Sequence, residues 1–192
     1  MPGMTLDECL KISSQLLERV DRRARGIQRP DPRKENTAWT KAVKALLREE
    51  GNKRRHVCLY SDKKRQVHEF LVDFTWWDST MKVTVMACES EFGRKPEAIG
   101  EDFDKLLSVK AHFKLMIFDS YQKKARTKRT SQIIETLTCH FREFGQHFKG
   151  EIYILLDTAD LNDKTRTRMW QCVVPKSGKN ATLAFKPIAM QT

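Results

Sequence analysis

The sequence predicts an α/β fold, a mixed sheet flanked by helices, on three observations. Three β-rich runs follow one another across short polar connections, as in a meander. Later strand-like runs are separated by amphipathic helical stretches, which implies partly parallel pairing. A length of 192 residues suits one well-filled α/β core with a small extension.

The elements follow in chain order. "TLDECLKISSQLLERVDRRAR" sets Leu6, Leu10, Leu16, Leu17 and Val20 on one helical side, and Thr5 suits its N-terminus. "RGIQRPDPRKEN" reads as a linker, because two prolines, a glycine and a charge cluster break the periodicity. Its neighbourhood holds Arg22, Arg23, Arg25, Arg29, Arg33 and Lys34, either an arm for phosphates or a solvated connection. Residues 1–35 are thus expected as an N-terminal helix and basic linker, and 36–192 as the α/β domain.

Asn36 or Thr37 can cap a second helix, "AWTKAVKALLREEG", with Trp39, Val43, Leu46 and Leu47 as its buried stripe and Gly51 at its end. "HVCLYS", "EFLVDFTWW" and "KVTVMACES" are the three meander strands. "EAIGEDFDKLLSVK" is helical through Ile99, Phe103, Leu106 and Leu107, and "HFKLMIFDS" is a strand. A long helix follows in "SQIIETLTCHFREFGQHF", with the stripe Ile133, Ile134, Leu137, Phe141, Phe144 and Phe148. "EIYILLD" is a further strand, and "RMWQCVVP" can pair with "NATLAFKP" as a closing hairpin across "KSGK".

Charge narrows the partners. Thirty-six Lys and Arg stand against 25 Asp and Glu, a formal net charge of +11 and a pI near 9.6. This surplus favours a polyanion such as nucleic acid, or an anionic membrane surface, over a neutral small molecule. Three compact basic runs, "NKRRH", "DKKR" and "KKARTKR", can neutralise phosphates along a groove or simply solubilise loops. Trp76 and Trp77 either stack on bases or pack in the core. No stretch approaches the roughly 18 apolar residues of a membrane span, and a cytoplasmic protein is expected. Five widely spaced cysteines read as reduced core thiols, and Cys139, His140 and His147 lack the second cluster a zinc site needs. Neither a G-x-S-x-G nor a glycine-rich phosphate loop is present, which disfavours a serine hydrolase or a nucleotide binder.

The most informative feature is acidic. If the extended conformation persists to residue 91, Val83, Val85, Ala87, Glu89 and Glu91 share one face of their strand. In the preceding strand Asp73 shares a face with Glu69, Leu71, Thr75 and Trp77, and a carboxylate among apolar neighbours requires a partner. The short connection "WDSTMK" makes the two strands antiparallel neighbours and allows Asp73 to approach Glu89. Three carboxylates about 5 Å apart would repel by roughly 3 kcal/mol per pair at an effective dielectric near 20. A divalent cation, Mg²⁺ or Mn²⁺, held by Asp73, Glu89 and Glu91 would relieve that repulsion. Otherwise Asp73 pairs with a basic side chain and the two glutamates mark a solvated strand end.

This pattern resembles the PD-(D/E)xK nuclease superfamily, whose restriction-endonuclease-like core runs αβββαβ. The resemblance spans about residues 38–119, with 128–157 similar to a frequent further helix and strand. It implies that Asp73 in "LVDFTWW" and Glu89 in "ACESE" hold the metal, and that Glu50, or failing it Glu49, assists from the first core helix. The family's lysine falls where this sequence has Glu91, giving E-x-E in place of E-x-K. A lysine from the next helix, Lys105, is the candidate replacement, and Asp78 is a weaker alternative to Asp73, since it suits a turn. The resemblance implies a Mg²⁺- or Mn²⁺-dependent phosphodiesterase acting on DNA, less readily on RNA; a homodimer is a separate expectation about its assembly. The alternative is a catalytically inactive nuclease-fold protein serving as a nucleic-acid-binding or assembly module.

Overall fold

A computed structural model describes residues 4–24, 32–60, 71–92, 96–120, 126–144, 149–159, 168–174 and 184–188. The element order is α1 (Leu6–Ala24), α2 (Pro32–Lys53), β1 (Val57–Tyr60), β2 (Phe74–Trp77), β3 (Thr84–Glu91), α3 (Pro96–Ser108), β4 (Phe113–Phe118), α4 (Arg126–Phe144), β5 (Ile152–Asp157), β6 (Met169–Val173) and β7 (Lys186–Ile188). The strands form one sheet in chain order, β1 to β7. β1, β2 and β3 pair antiparallel, β3, β4 and β5 parallel, and β6 and β7 close the sheet antiparallel. The expected mixed α/β sheet is therefore present; β6 lies within "RMWQCVVP" and pairs antiparallel with β7, which falls at and just past the end of "NATLAFKP", while residues 175–183 lie outside the described residues.

Two apolar layers sandwich the sheet. On one side Cys9, Ile12, Leu16 and Val20 of α1 and Val43, Leu46 and Leu47 of α2 pack with Met86, Cys88, Leu115, Ile117 and Ile154. On the other, Ile99, Phe103 and Leu106 of α3 and Ile133, Leu137 and Phe141 of α4 pack with Ala87, Met116, Tyr153 and Leu155. Every residue of β4 and β5 is buried, as parallel strands covered by helices on both faces must be. α1 begins with a reciprocal cap, in which the Glu8 N–H donates to Thr5 Oγ1 (3.3 Å) and the Thr5 N–H donates to Glu8 Oε2 (2.8 Å).

Several expectations need correction. α2 starts at Pro32 and not near Asn36, because proline is tolerated at the first helical position and the residues after it are good helix formers. Gly51 does not end that helix. It lies inside the last turn, and the left-handed residue that follows the helix is Arg55 (φ 60°), with the His56 N–H donating back to the Gly51 carbonyl. Phe144, placed on the stripe of α4 by periodicity, is 51% exposed. β2 is only four residues long, and the chain bends at 71–73, so Leu71 is exposed while Val72 is buried. A register shift at Trp76/Trp77 interrupts the alternation of β3, and Val85 packs with the α1–α2 layer instead of sharing a face with Ala87.

Trp76 is fully buried and its indole N–H donates to the Leu47 carbonyl at 3.0 Å, a core role and not base stacking. All five cysteines are free, and Cys9, Cys88 and Cys172 are buried. His140 packs on α3 through a 2.7 Å contact with Asp104. The runs "DKKR" and "KSGK", most of the basic linker, and His147 and Phe148 lie outside the described residues. Among the described residues no helix is long and apolar enough to cross a membrane.

Candidate functional site

The β2–β3 register pairs Phe74 with Cys88, so one step further sets Asp73 across from Glu89. Asp73 lies in the bend just before β2, free of the ladder, and its carboxylate swings over the end of β3. Oδ2 accepts from the Ser90 N–H (3.2 Å) and the Ser90 hydroxyl (2.8 Å). Oδ1 faces Lys44 Nζ of α2 at 3.0 Å. The partner that a partly buried aspartate requires is thus a lysine on the first core helix.

Glu89 points to the opposite helical layer. It shares the face of Ala87 and is only 4% exposed. Burial, then the charges of Asp73 and of Asp102 on α3, push its carboxyl up to about 9, while Lys105 and the Asp73 main-chain N–H pull the other way. Asp102 and Lys105 lie three residues apart on one face of α3, with Nζ 2.6 Å from Oδ1. That hydrogen bond, followed by the charges of Asp102, Glu89 and Asp73, raises the Lys105 ammonium above its usual value. With Glu89 protonated, Asp73 and Asp102 meet Lys44 and Lys105, and the cluster is electrically balanced.

The remaining candidates are placed elsewhere. Glu91 ends β3, half-buried, two residues beyond Glu89, and its carbonyl accepts from the Asp119 N–H at 3.3 Å. Glu50 does not reach Asp73; it pairs with Arg54 (3.0 Å) and Lys53 (3.7 Å), and borders a shallow cleft with Ile12, Leu16 and Arg19 of α1. Glu49 pairs with Arg19 and Lys53 on the same side. Asp78 is a turn residue, as its position suggests, accepting from the N–H groups of Lys82 (2.9 Å) and Val83 (3.1 Å). Sequence reasoning therefore reached Asp73, Glu89 and Lys105 but missed Lys44, Ser90 and Asp102. Asp102 had a signal in its i, i+3 spacing from Lys105. Ser90 is the middle residue of Glu89–Ser90–Glu91, and nothing marked Lys44 among the lysines of its helix.

Among the described residues no group of three or more Asp, Glu, His or Cys side chains is placed to hold a metal ion, so Asp73, Glu89 and Glu91 form no ready-made cage. The two carboxylates that remain to be considered are those of Asp73 and Glu89, at one end of the β2–β3 pair. Mg²⁺ commonly takes one or two protein carboxylates and completes its shell with water and substrate phosphate. Asp73 has both acceptor positions of Oδ2 occupied and one on Oδ1 still open, and the buried Glu89 carboxylate gains from any cation that replaces its proton. Asp73 and Glu89 are the residues that would hold such an ion. Comparison with protein-family models, curated proteins and solved structures gave no match.

Proposed function

We propose that the chain is a metal-dependent phosphodiesterase acting on nucleic acid, DNA ahead of RNA, built on a restriction-endonuclease-like core. The observation that carries this reading is that Asp73, bound to Lys44 of one helical layer, and the buried Glu89, turned toward Lys105 of the other, lie across from each other at one end of an antiparallel strand pair, with the Asp73 main-chain N–H and charge both acting on Glu89. Ionising Glu89, almost dry and beside a second acid, is costly unless a cation takes the place of its proton, and such perturbed groups cluster at working sites. The order of elements from α2 to β4 and the net charge of +11 support the same reading. Mg²⁺ or Mn²⁺ would polarise the phosphoryl group and supply positive charge as its oxygens gain negative charge. Glu91, nearer the strand end, would orient and deprotonate the attacking water, and Lys105 would lessen the cost of ionising Glu89 as the ion displaces its proton.

The direct experiment is cleavage of plasmid and single-stranded DNA with Mg²⁺ or Mn²⁺, using Asp73→Ala and Glu89→Ala as controls. Metal-dependent cleavage lost in both variants is expected; cleavage that survives both refutes the reading. A second reading, a non-catalytic nucleic-acid-binding or assembly module, is favoured by the glutamate at position 91 and by the engagement of Lys44 and Lys105 with acids. Calorimetry separates the two, because a site that never takes a divalent ion shows no metal-induced rise in melting temperature.

A further inference from the structure

We propose that Lys44 is the phosphate-facing cation of this site, delivered by the first core helix and standing where a scissile phosphoryl group would approach Asp73. The inference rests on the phosphodiesterase reading above.

Three observations lead to it. The two donors of Ser90 fill Oδ2 of Asp73, so a ligand of this carboxylate must arrive on Oδ1, which already faces the Lys44 ammonium at 3.0 Å. Whatever binds Asp73 therefore binds beside Lys44. The Lys44 side chain is only 14% exposed, and its helix is anchored by the buried Val43, Leu46 and Leu47, so the ammonium is held in place before any substrate arrives. Lys105, the other nearby cation, is half-exposed and bound by Asp102 at 2.6 Å, and its charge bears on Glu89 from the opposite layer. Lys44 is thus the better placed replacement for the cation that Glu91 cannot be.

The chemistry balances without a proton from Lys44. A water oxygen bonds to phosphorus as the bond from phosphorus to the sugar oxygen breaks; one water proton ends on that departing oxygen, and the other leaves with the new phosphate monoester or passes to solvent. Lys44 stays protonated and stabilises the charge that builds on a non-bridging oxygen. Because the ammonium shares Oδ1 with any incoming ion, it also opposes a dication, so removing it should tighten metal binding while slowing cleavage. A side chain that only supported the fold would lose both together.

The test uses the full chain with Lys44→Met, Lys44→Arg and Lys105→Met, measuring single-turnover plasmid cleavage in Mn²⁺ and, separately, the Mn²⁺-induced rise in melting temperature. Lys44→Met is expected to cut about 100-fold more slowly, the usual scale for one lost charge-stabilising donor. Its Mn²⁺-induced rise should equal or exceed that of the wild type. Lys44→Arg, which keeps the charge, should recover part of the rate. Lys44→Met that cuts within about threefold of wild type, well short of that loss, overturns the proposal, and so does loss of the Mn²⁺ response along with cleavage. Loss of cleavage in Lys105→Met with retention in Lys44→Met assigns the role to α3 and also overturns it. A wild-type protein that leaves plasmid intact overturns the phosphodiesterase reading itself, and this inference with it.

Discussion

Glu89 is the residue on which stability and function pull apart. Its carboxyl is pushed from an ordinary 4.5 up to about 9, first by burial and then by Asp73 and Asp102. Between those values the folded chain holds a proton that the unfolded chain has released, so stability in the absence of metal falls as pH rises through that window. The contribution is complete below 4.5 and gone above 9. Glu89→Gln, neutral at every pH and of the same shape, is therefore expected to melt several degrees above the wild type near the top of the window and to flatten the pH dependence of melting; scanning calorimetry of metal-free protein across the range checks both. Lys114 makes the complementary case. It is fully buried, 2.8 Å from Glu151 and 2.9 Å from the Tyr153 hydroxyl, and burial pulls its ammonium below the usual value. Lys114→Met takes the cation from Glu151, leaving it only the Ala111 N–H and the Tyr153 hydroxyl, and should cost about 3 kcal/mol in urea unfolding. The sequence marked Asp73 as an acid in need of a partner but not its lysine, because a contact 29 positions back in the chain leaves no periodic trace. Lys114, the polar residue inside the apolar run "HFKLMIFDS", likewise carries no sequence sign of its partners.

Periodicity made the helices legible and hid the irregularities of the strands. Ile99, Phe103, Leu106 and Leu107 of α3 are all buried, as their spacing required. The shift at Trp76/Trp77 and the bend at 71–73 were not readable, since they are main-chain events that change which face a side chain meets without altering its type. The bend matters for the site, because it frees Asp73 from the ladder and lets its carboxylate meet Ser90 and Lys44. Gly51 fixes how near α2 comes to the sheet. A Cβ there would lie 2.4 Å from Trp76 Nε1 and 2.6 Å from Cys58 Sγ, so any side chain forces the helix, Trp76 or Cys58 to shift. An outward shift of α2 would strain the bond from Trp76 to the Leu47 carbonyl and the contact of Lys44 with Asp73. Gly51→Ala is expected to lose about 2 kcal/mol in denaturant titrations, the scale of an overpacked core. An unchanged midpoint would mean that α2 has slack that the packing does not reveal.

At the scale of the molecule, the sheet divides into a rigid centre and lighter margins. β4 and β5 are buried at every position between two helical layers, whereas β1 and β7 are short edge strands with exposed residues. The parallel centre was legible from the helices that separate its strands; that α1 lies in the same apolar layer as Ile152, Ile154 and Leu156 of β5 was not, because no local pattern encodes it. Backbone amides open according to the contacts that local opening must break. Hydrogen exchange should therefore be slowest in β4 and β5, approaching the global unfolding limit, and fastest in β1 and β7; equal protection of β1 and β4 would contradict this division. The candidate site straddles the boundary, with Glu89 on β3 against the rigid centre and Asp73 in the bend that leads into the four-residue β2. An ion shared by those two carboxylates would tie the looser side to the firmer one. Mg²⁺ is accordingly expected to slow exchange at residues 71–77 while leaving β5 unchanged, and a uniform change across all strands would place the ion elsewhere.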